Sequence, residues 1–360
     1  MKTGPLSINA IFSKNLFQIS IVNERIRQSK KIVLSTIMRP KNALLSLFFS
    51  FTTFVLSAQR IDNTVSFLNV SSDKYFRFHY ENDYFTATDR YYTQGINLEF
   101  VNPKLKKNPL TLTLLRFKDS PTKYGLSIEQ NGYTPTSIAH DDILYGDRPF
   151  AANLMLKTFA IATDEDNSRR LSSHLSIGII GQSAYGEEQQ REIHRAFKNI
   201  LPHGWQYQIR NDVVLNYGVN YEKQVFQYKN RVFLSTNAQI NLGTLSDKAT
   251  IGFATVIGKR DNPFSFINKS NRKNFEFYVY NQTLLSAIAY DATLQGGLFN
   301  RSSPYTIEAK NISRITVQDN FGVVLRFKKL YLQYDQAILT KEFSTGTFHR
   351  WGGVKIGCAL

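Results

Sequence analysis

After residue 73 the chain alternates between apolar and polar positions in short, regular runs. Phe76, Phe78 and Tyr80 fall on one face of Tyr75–Tyr80, with Arg77, His79 and Glu81 on the other; beyond the next turn, Ile96, Leu98 and Phe100 alternate with Asn97 and Glu99. A period of two means strand, turn, strand. The same pattern recurs in about twelve segments, near 74–82, 91–101, 122–131, 149–160, 173–182, 212–227, 230–242, 250–258, 273–290, 304–318, 321–337 and 347–360. Val213–Gln227 and Arg231–Leu242 face each other across Tyr228-Lys229-Asn230, a hairpin turn. Strands of sixteen residues are longer than a soluble sandwich uses. An even number of amphipathic strands therefore predicts an all-β, transmembrane antiparallel barrel, because a sheet in lipid must close on itself.

One segment departs from period two. Gly186–Lys198 holds helix formers throughout, with acids in its first turn and basic residues later, as the helix dipole prefers. Ile193 and Phe197 form an apolar i,i+4 pair, and Gln190 and His194 a polar one on an adjacent face. In a barrel such a helix belongs in an extracellular loop or against the wall. A Pro/Gly-marked loop with Trp205 follows, and Asp147-Arg148-Pro149-Phe150 precedes the fourth strand. Trp205 suits an interfacial aromatic belt or a substrate contact, and Arg148 a rim charge or an anion clamp.

The start of the chain has another character. Met38-Arg39-Pro40-Lys41-Asn42 leads into an apolar run from Ala43 to Leu56 and then Ser57-Ala58. A basic region, a short apolar run and a small-residue exit are the parts of a secretory signal peptide, too short for a comfortable membrane span. This predicts a start at Met38, cleavage near Ala58, an extension over residues 1–37 and a barrel over 59–360. An N-terminal anchor helix is the alternative.

Composition sharpens the picture. Phe (27) and Tyr (19) are abundant while Met is 3 and Cys is 1, which fits the aromatic girdles of outer-membrane barrels. The lone Cys358 excludes an intramolecular disulfide framework and a Cys-rich zinc site. The net charge of +16 is unevenly distributed: residues 1–58 hold eight Lys/Arg against the single acid Glu24, or +7, and the remainder carries +9. Without a zinc finger, an RNA-binding signature or a basic helical block, the charge does not point to nucleic acid.

Candidate chemistry gathers at the first turn. Glu81-Asn82-Asp83-Tyr84-Phe85-Thr86-Ala87-Thr88-Asp89-Arg90-Tyr91-Tyr92-Thr93-Gln94-Gly95 carries more oxygen and hydrogen-bonding groups than a hairpin needs. The G-x-S-x-G elbow, H-E-x-x-H, the EF-hand loop and the P-loop are absent. A His without a Ser or Cys nucleophile, beside Asn, Asp and Thr oxygens, suits water as nucleophile, His194 as general base and a hard cation such as Ca²⁺.

Taken together, Asn82-Asp83, the Thr-Asp-Arg-x-Tyr-Thr-x-Gly run at 88–95, Gln130–Pro135, Asp147–Ala151, Gly178–Gly186, Gln190-x-x-x-His194, Gly204-Trp205-x-x-Gln208 and Thr293–Gly296 resemble the LpxR-type lipid A 3′-O-deacylases in ordered blocks over most of residues 74–360. The resemblance implies a twelve-stranded barrel of the Gram-negative outer membrane that removes the 3′-acyloxyacyl group of lipid A with Ca²⁺, acting as a monomer. It implies His194 as general base with Gln190 beside it, Asn82 and Asp83 serving metal and oxyanion, and Thr93 lining the same site. Arg90, Arg148 and Trp205 are then candidate substrate contacts, the two guanidinium groups for phosphate. Asn82 continues the face of Phe76, Phe78 and Tyr80, which places the site on the lipid side of the wall. There are departures. Some members carry a Lys-Arg pair where Ser137–Asp142 offers only His140, and an acid soon after the catalytic His where Lys198-Asn199-Ile200 stands, Asp212 being the nearest acid downstream. Esters of other glycolipids or phospholipids stay open, as do a non-catalytic surface barrel and a pore. Against a pore, Arg77, Glu81, Glu99, Arg326 and Lys328 are placed to fill a narrow lumen.

Overall fold

The computed structural model describes residues 61–88, 90–265 and 274–360. The signal-peptide and start-site expectations, and Asp89, lie outside them. Twelve antiparallel strands close into one barrel by pairing of the first with the last. In order they are β1 (Tyr75–Asn82), β2 (Tyr91–Val101), β3 (Thr122–Thr134), β4 (Ala151–Asp164), β5 (Arg169–Ile180), β6 (Asp212–Tyr228), β7 (Val232–Gly243), β8 (Ser246–Lys259), β9 (Phe275–Asp291), β10 (Ile315–Phe327), β11 (Leu330–Leu339) and β12 (His349–Ala359). A helix, α1 (Gly186–Ala196), lies between β5 and β6, and a single helical turn, α2 (Ala292–Gln295), follows β9. The two longest connections, 181–211 and 292–314, leave the barrel at the end where β1 finishes, which marks that end as extracellular.

The period-two reading sets the two faces correctly. Along β1, Arg77, His79 and Glu81 are buried in the lumen while Phe76, Phe78, Tyr80 and Asn82 face outward. The β6–β7 turn holds Lys229 and Asn230 at φ 46° and 50°, the mirror-image turn that suits a twisted hairpin. Two strand expectations fail. The segments 304–318 and 321–337 are replaced by β10 and β11, with the turn at Lys328 (φ 51°) and Lys329. The supposed break at Asp319-Asn320 is mid-strand. Asn320 is fully buried, its Nδ2 donating to Gln282 Oε1 (3.0 Å) and its Oδ1 accepting from Gln318 Nε2 (2.8 Å). In a barrel with a polar interior, polar residues line the lumen and do not mark turns. Lys328 differs in the other direction: β10 ends at Phe327, so Lys328 sits exposed in the turn and does not fill the lumen.

The lumen is packed with paired charges. Arg77 Nη2 and Tyr75 OH both donate to Glu99 (2.8 and 2.6 Å), Lys157 meets Glu129 at 2.9 Å and Arg326 meets Glu276 at 2.9 Å. The stretch before β1, which has no periodicity, folds back into the barrel as a plug. Val65, Phe67, Leu68 and Val70 are buried there, and the rings of Phe67 and Tyr280 lie 4.4 Å apart. Its backbone is satisfied by the wall: Arg77 donates to the carbonyls of Leu68 and Asn63 (both 2.8 Å), Tyr278 OH to Phe67 O (2.8 Å), and Ser66 N–H to Glu222 (2.9 Å). Irregular backbone inside a barrel needs such partners. Above the plug remains a polar cavity of about 200 Å³, lined among others by Asp62, Lys157, His174 and Lys248.

The full chain is therefore expected to be non-conducting in planar bilayers, and a variant lacking residues 61–70 to conduct. Equal conductance from both would contradict the plug. Arg77→Ala, which strands the buried Glu99 carboxylate, should lower unfolding stability by about 3–5 kcal/mol in a denaturant titration.

Candidate active site on the outer wall

The site begins with a defect in β2. Tyr92 pairs with Tyr133 and Gln94 with Gly132, so Thr93 is an extra residue, a β-bulge. Tyr92 turns inward, its hydroxyl donating to Glu81 (2.9 Å). Thr93 and Gln94 both face outward, against the strict alternation of the strand. A bulge re-aims side chains in this way and recurs beside functional sites. Gly132 opposite makes room: a Cβ there would lie 3.1 Å from Gln94 Cγ and 3.4 Å from Thr93 Cγ2.

Helix α1 lies on this outward pair. Gln94 Nε2 donates to Gln189 Oε1 (2.7 Å), and Gln190 Nε2 to Thr93 Oγ1 (3.1 Å). Gln130 Nε2, outward on β3, holds the chain entering the helix through Ala184 O (2.6 Å). Gly186 lets the helix approach, since a Cβ there would sit 2.4 Å from Ala152 Cβ and 2.9 Å from Trp205 Cη2. Trp205 is buried beneath the helix against Phe150 and donates its indole N–H to Gln190 Oε1 (2.8 Å). With Gln190 Oε1 taken by Trp205, its Nε2 is committed to Thr93, and the Thr93 proton is directed elsewhere. One turn on, His194 is nearly buried on the same face, with Nδ1 2.5 Å from Ile200 O. Below this cluster the outward positions are apolar: Ile96, Leu98 and Phe100 on β2, Leu126 and Ile128 on β3. The site thus sits at the upper edge of the lipid-facing band.

The first turn lies one strand away, the β1–β2 register placing Asn82 beside Gln94. Asn82 caps the turn, accepting from Tyr84 N–H (2.8 Å), and its Nδ2 donates to Tyr80 OH (3.1 Å). Asp83 is buried, with Oδ2 accepting from Arg90 N–H (2.9 Å). Part of the turn's hydrogen-bonding chemistry is structural, because Thr86 and Thr88 hydroxyls donate to Arg350 O (2.9 and 2.7 Å) and tie the turn to β12. The side-chain oxygens of Asn82 and Asp83 both accept backbone N–H groups within the turn.

Compared with known protein families, the chain matches the one described as outer membrane protein LpxR over residues 44–360. The chain belongs to the LpxR family. It is accordingly a protein of the Gram-negative outer membrane that crosses by its strands. Among solved structures, LpxR from Salmonella typhimurium matches this LpxR-family barrel with a TM-score of 0.66 at 19% identity, covering 79% of this chain and 100% of that one. At that identity the likeness shows the fold. The β domain of the Bordetella autotransporter BrkA matches with a TM-score of 0.43 at 9% identity, over 81% of this chain and 100% of that one. Curated protein sequences give no match.

Within this LpxR-family site the structure brings together Thr93, Gln190, His194 and Trp205, with Asn82 and Asp83 on the neighbouring strand end. Two expected substrate contacts are corrected. Arg148 is buried in the barrel mouth, donating to Glu342 and to Thr293 Oγ1 (2.6 Å), with its guanidinium 4.4 Å above the Tyr133 ring. Its charge is spent on the chain's own carboxylate, so it is no phosphate clamp. Burial pushes the Glu342 carboxyl up, to about 7, against the pull of Arg148. Trp205 is neither a belt residue nor an exposed contact, because its polar edge is used to orient Gln190. Arg90 is half-buried with its guanidinium 5.9 Å from the Phe348 ring centroid. Asp212 does not stand in for an acid beside His194; its carboxylate accepts from Phe299 and Asn300 N–H (2.7 and 3.0 Å). Gln94 and Gln130 fall in stretches that the sequence singles out without a role for either, and their polarity at outward strand positions is the signal for one.

Trp205→Phe keeps the packing but leaves Gln190 Oε1 buried without its donor. It should cost about 1–3 kcal/mol locally, read as faster amide exchange across Gly186–Ala196 with the barrel strands unchanged.

Proposed function

We propose that this barrel is an outer-membrane lipid A deacylase that hydrolyses an ester-linked acyl chain, the 3′-acyloxyacyl group, with His194 as general base. One observation carries the reading. A histidine with one ring nitrogen committed to a carbonyl lies on the lipid side of the wall, at the upper edge of the apolar band, where the headgroup esters of an outer-leaflet lipid sit. A lumen filled by paired charges and a plug speaks against a pore.

His194 Nε2 takes a proton from water as the water attacks the ester carbonyl, and the imidazolium gives that proton to the departing alcohol oxygen as the ester C–O bond breaks. The Thr93 hydroxyl, fixed by Gln190, and the second N–H of Asn82 Nδ2 donate to the oxyanion as it forms. Phe197 and Ile200, 81% and 62% exposed next to the helix end, offer apolar surface to an acyl chain. Arg90 takes the phosphate-binding role. Asp83 and the Asn82 amide oxygen fit a hard cation, because the set is all oxygen with one carboxylate, and Ca²⁺ bound there would polarise the ester carbonyl. The site as described needs no residue from a second copy, which supports a barrel that acts as a monomer. A second reading, an esterase of another glycolipid or a phospholipid, draws on the loop before Arg148. That loop lacks a pair of cations, and its Asp141 accepts from His203 (3.1 Å).

Mass spectrometry of lipid A from cells expressing the protein should show loss of the 3′-acyloxyacyl group, and His194→Ala should abolish it. Unchanged lipid A with a folded wild-type barrel would reject lipid A as substrate, and altered phospholipids would favour the second reading. Chelation by EGTA should stop turnover, and Asp83→Asn should raise the Ca²⁺ needed to restore it.

A further inference from the structure

A general base needs its second ring nitrogen held, because that bond decides which nitrogen carries the proton. The partner of His194 is main chain: Nδ1 lies 2.5 Å from Ile200 O. A carbonyl oxygen only accepts, so in the neutral ring Nδ1 carries the proton and Nε2 presents its lone pair. Within hydrogen-bond reach of Nδ1 the described structure gives no carboxylate.

What aims that carbonyl is the way α1 ends. Lys198 N–H donates to Arg195 O (3.2 Å) and Asn199 N–H to His194 O (2.8 Å), and Lys198 adopts φ 53°. These two bonds around a left-handed residue make a Schellman motif, a position usually given to glycine. The motif reverses the chain within one residue. Asn199 Oδ1 then accepts from Ile200 N–H (2.8 Å), and Arg191 Nη1 donates to Pro202 O (3.3 Å), holding the returning strand along the helix. The reversal brings Ile200 O back over the imidazole six residues upstream.

We propose that this turn, with Lys198 as its positioning residue, fixes His194 as the Nδ1–H tautomer and so does with a backbone carbonyl what a carboxylate does in a catalytic triad. The inference rests on His194 being the base. It has two consequences. The Ile200 side chain is irrelevant to the tautomer, and the left-handed conformation at residue 198 is essential to it. A neutral acceptor orients the ring without adding a negative charge beside the imidazolium.

The test uses the full-length barrel, with ¹⁵N-histidine NMR to read the tautomer and lipid A hydrolysis to read turnover. Lys198→Pro forbids both the positive φ and the N–H bond to Arg195 O. It should lose the Nδ1–H signature and lower kcat by about 100-fold, the scale of one general base, with KM little changed. Lys198→Gly removes the same charge but suits the turn, and should retain the signature. Ile200→Ala and Asp212→Asn should retain it too. If Lys198→Pro keeps both signature and kcat, or if wild-type His194 is protonated on Nε2, the proposal is overturned while the deacylase reading stands. A correct tautomer in a folded wild-type barrel that hydrolyses no lipid A would instead overturn the deacylase reading, because the tautomer is read without substrate.

Discussion

Closure is the constraint on which everything else here depends. In lipid no backbone N–H or C=O can remain unpaired, so β1 must bond β12 and every strand must have two neighbours. Once the cylinder is closed, each side chain is either inside or outside. Outside the cavity the interior is filled by side chains, and Arg, Lys, Glu and Asp pair there, as Arg77 and Glu99 do. The plug completes this. Its apolar residues Phe67 and Leu68 and its carbonyls occupy what would otherwise be a channel, with Arg77 and Tyr278 as donors.

A regular barrel offers lipid only a smooth apolar wall. Chemistry on the outside requires a local exception, and the bulge at Thr93 supplies it by turning two consecutive polar side chains outward. The helix is then needed to cover them, and it can lie close only because Gly186 meets Ala152 without a side chain between. The chain Trp205–Gln190–Thr93 is directional. The indole can only donate, so the Gln190 amide has one orientation and the Thr93 hydroxyl one remaining proton to give. This ordering is bought by burial and by no net charge, which suits a site at the edge of a lipid phase.

The mouth of the barrel shows the same economy of charge. Arg148, adjacent in sequence to a strand start, reaches inward to Glu342 and stacks on Tyr133, locking two extracellular loops across the opening. A cation on that rim would have been suited to a phosphate. Inside the mouth it has a structural partner, which leaves Arg90 as the guanidinium nearer the outer turn.

By itself the sequence determined the class of the fold and most of its strands, because alternation is local and each strand exposes one face to lipid. It also determined the helix and its polar face, since Gln190 and His194 are one turn apart. These strand ends were not legible: Asp319-Asn320 looks like a turn to any local reading, yet it is mid-strand, with Asn320 in the lumen ladder and Asp319 on the outer face bonded to Asn281 and Thr283. Only the tertiary structure decided the rest. The plug, the Arg148–Glu342 pair between residues 194 positions apart, and the outward turn of Thr93 all depend on which strands become neighbours. The partner of His194 lies only six residues away, yet it is a carbonyl aimed by a left-handed turn at a lysine. Side-chain identity carries no record of that, because the group that does the work is common to every residue.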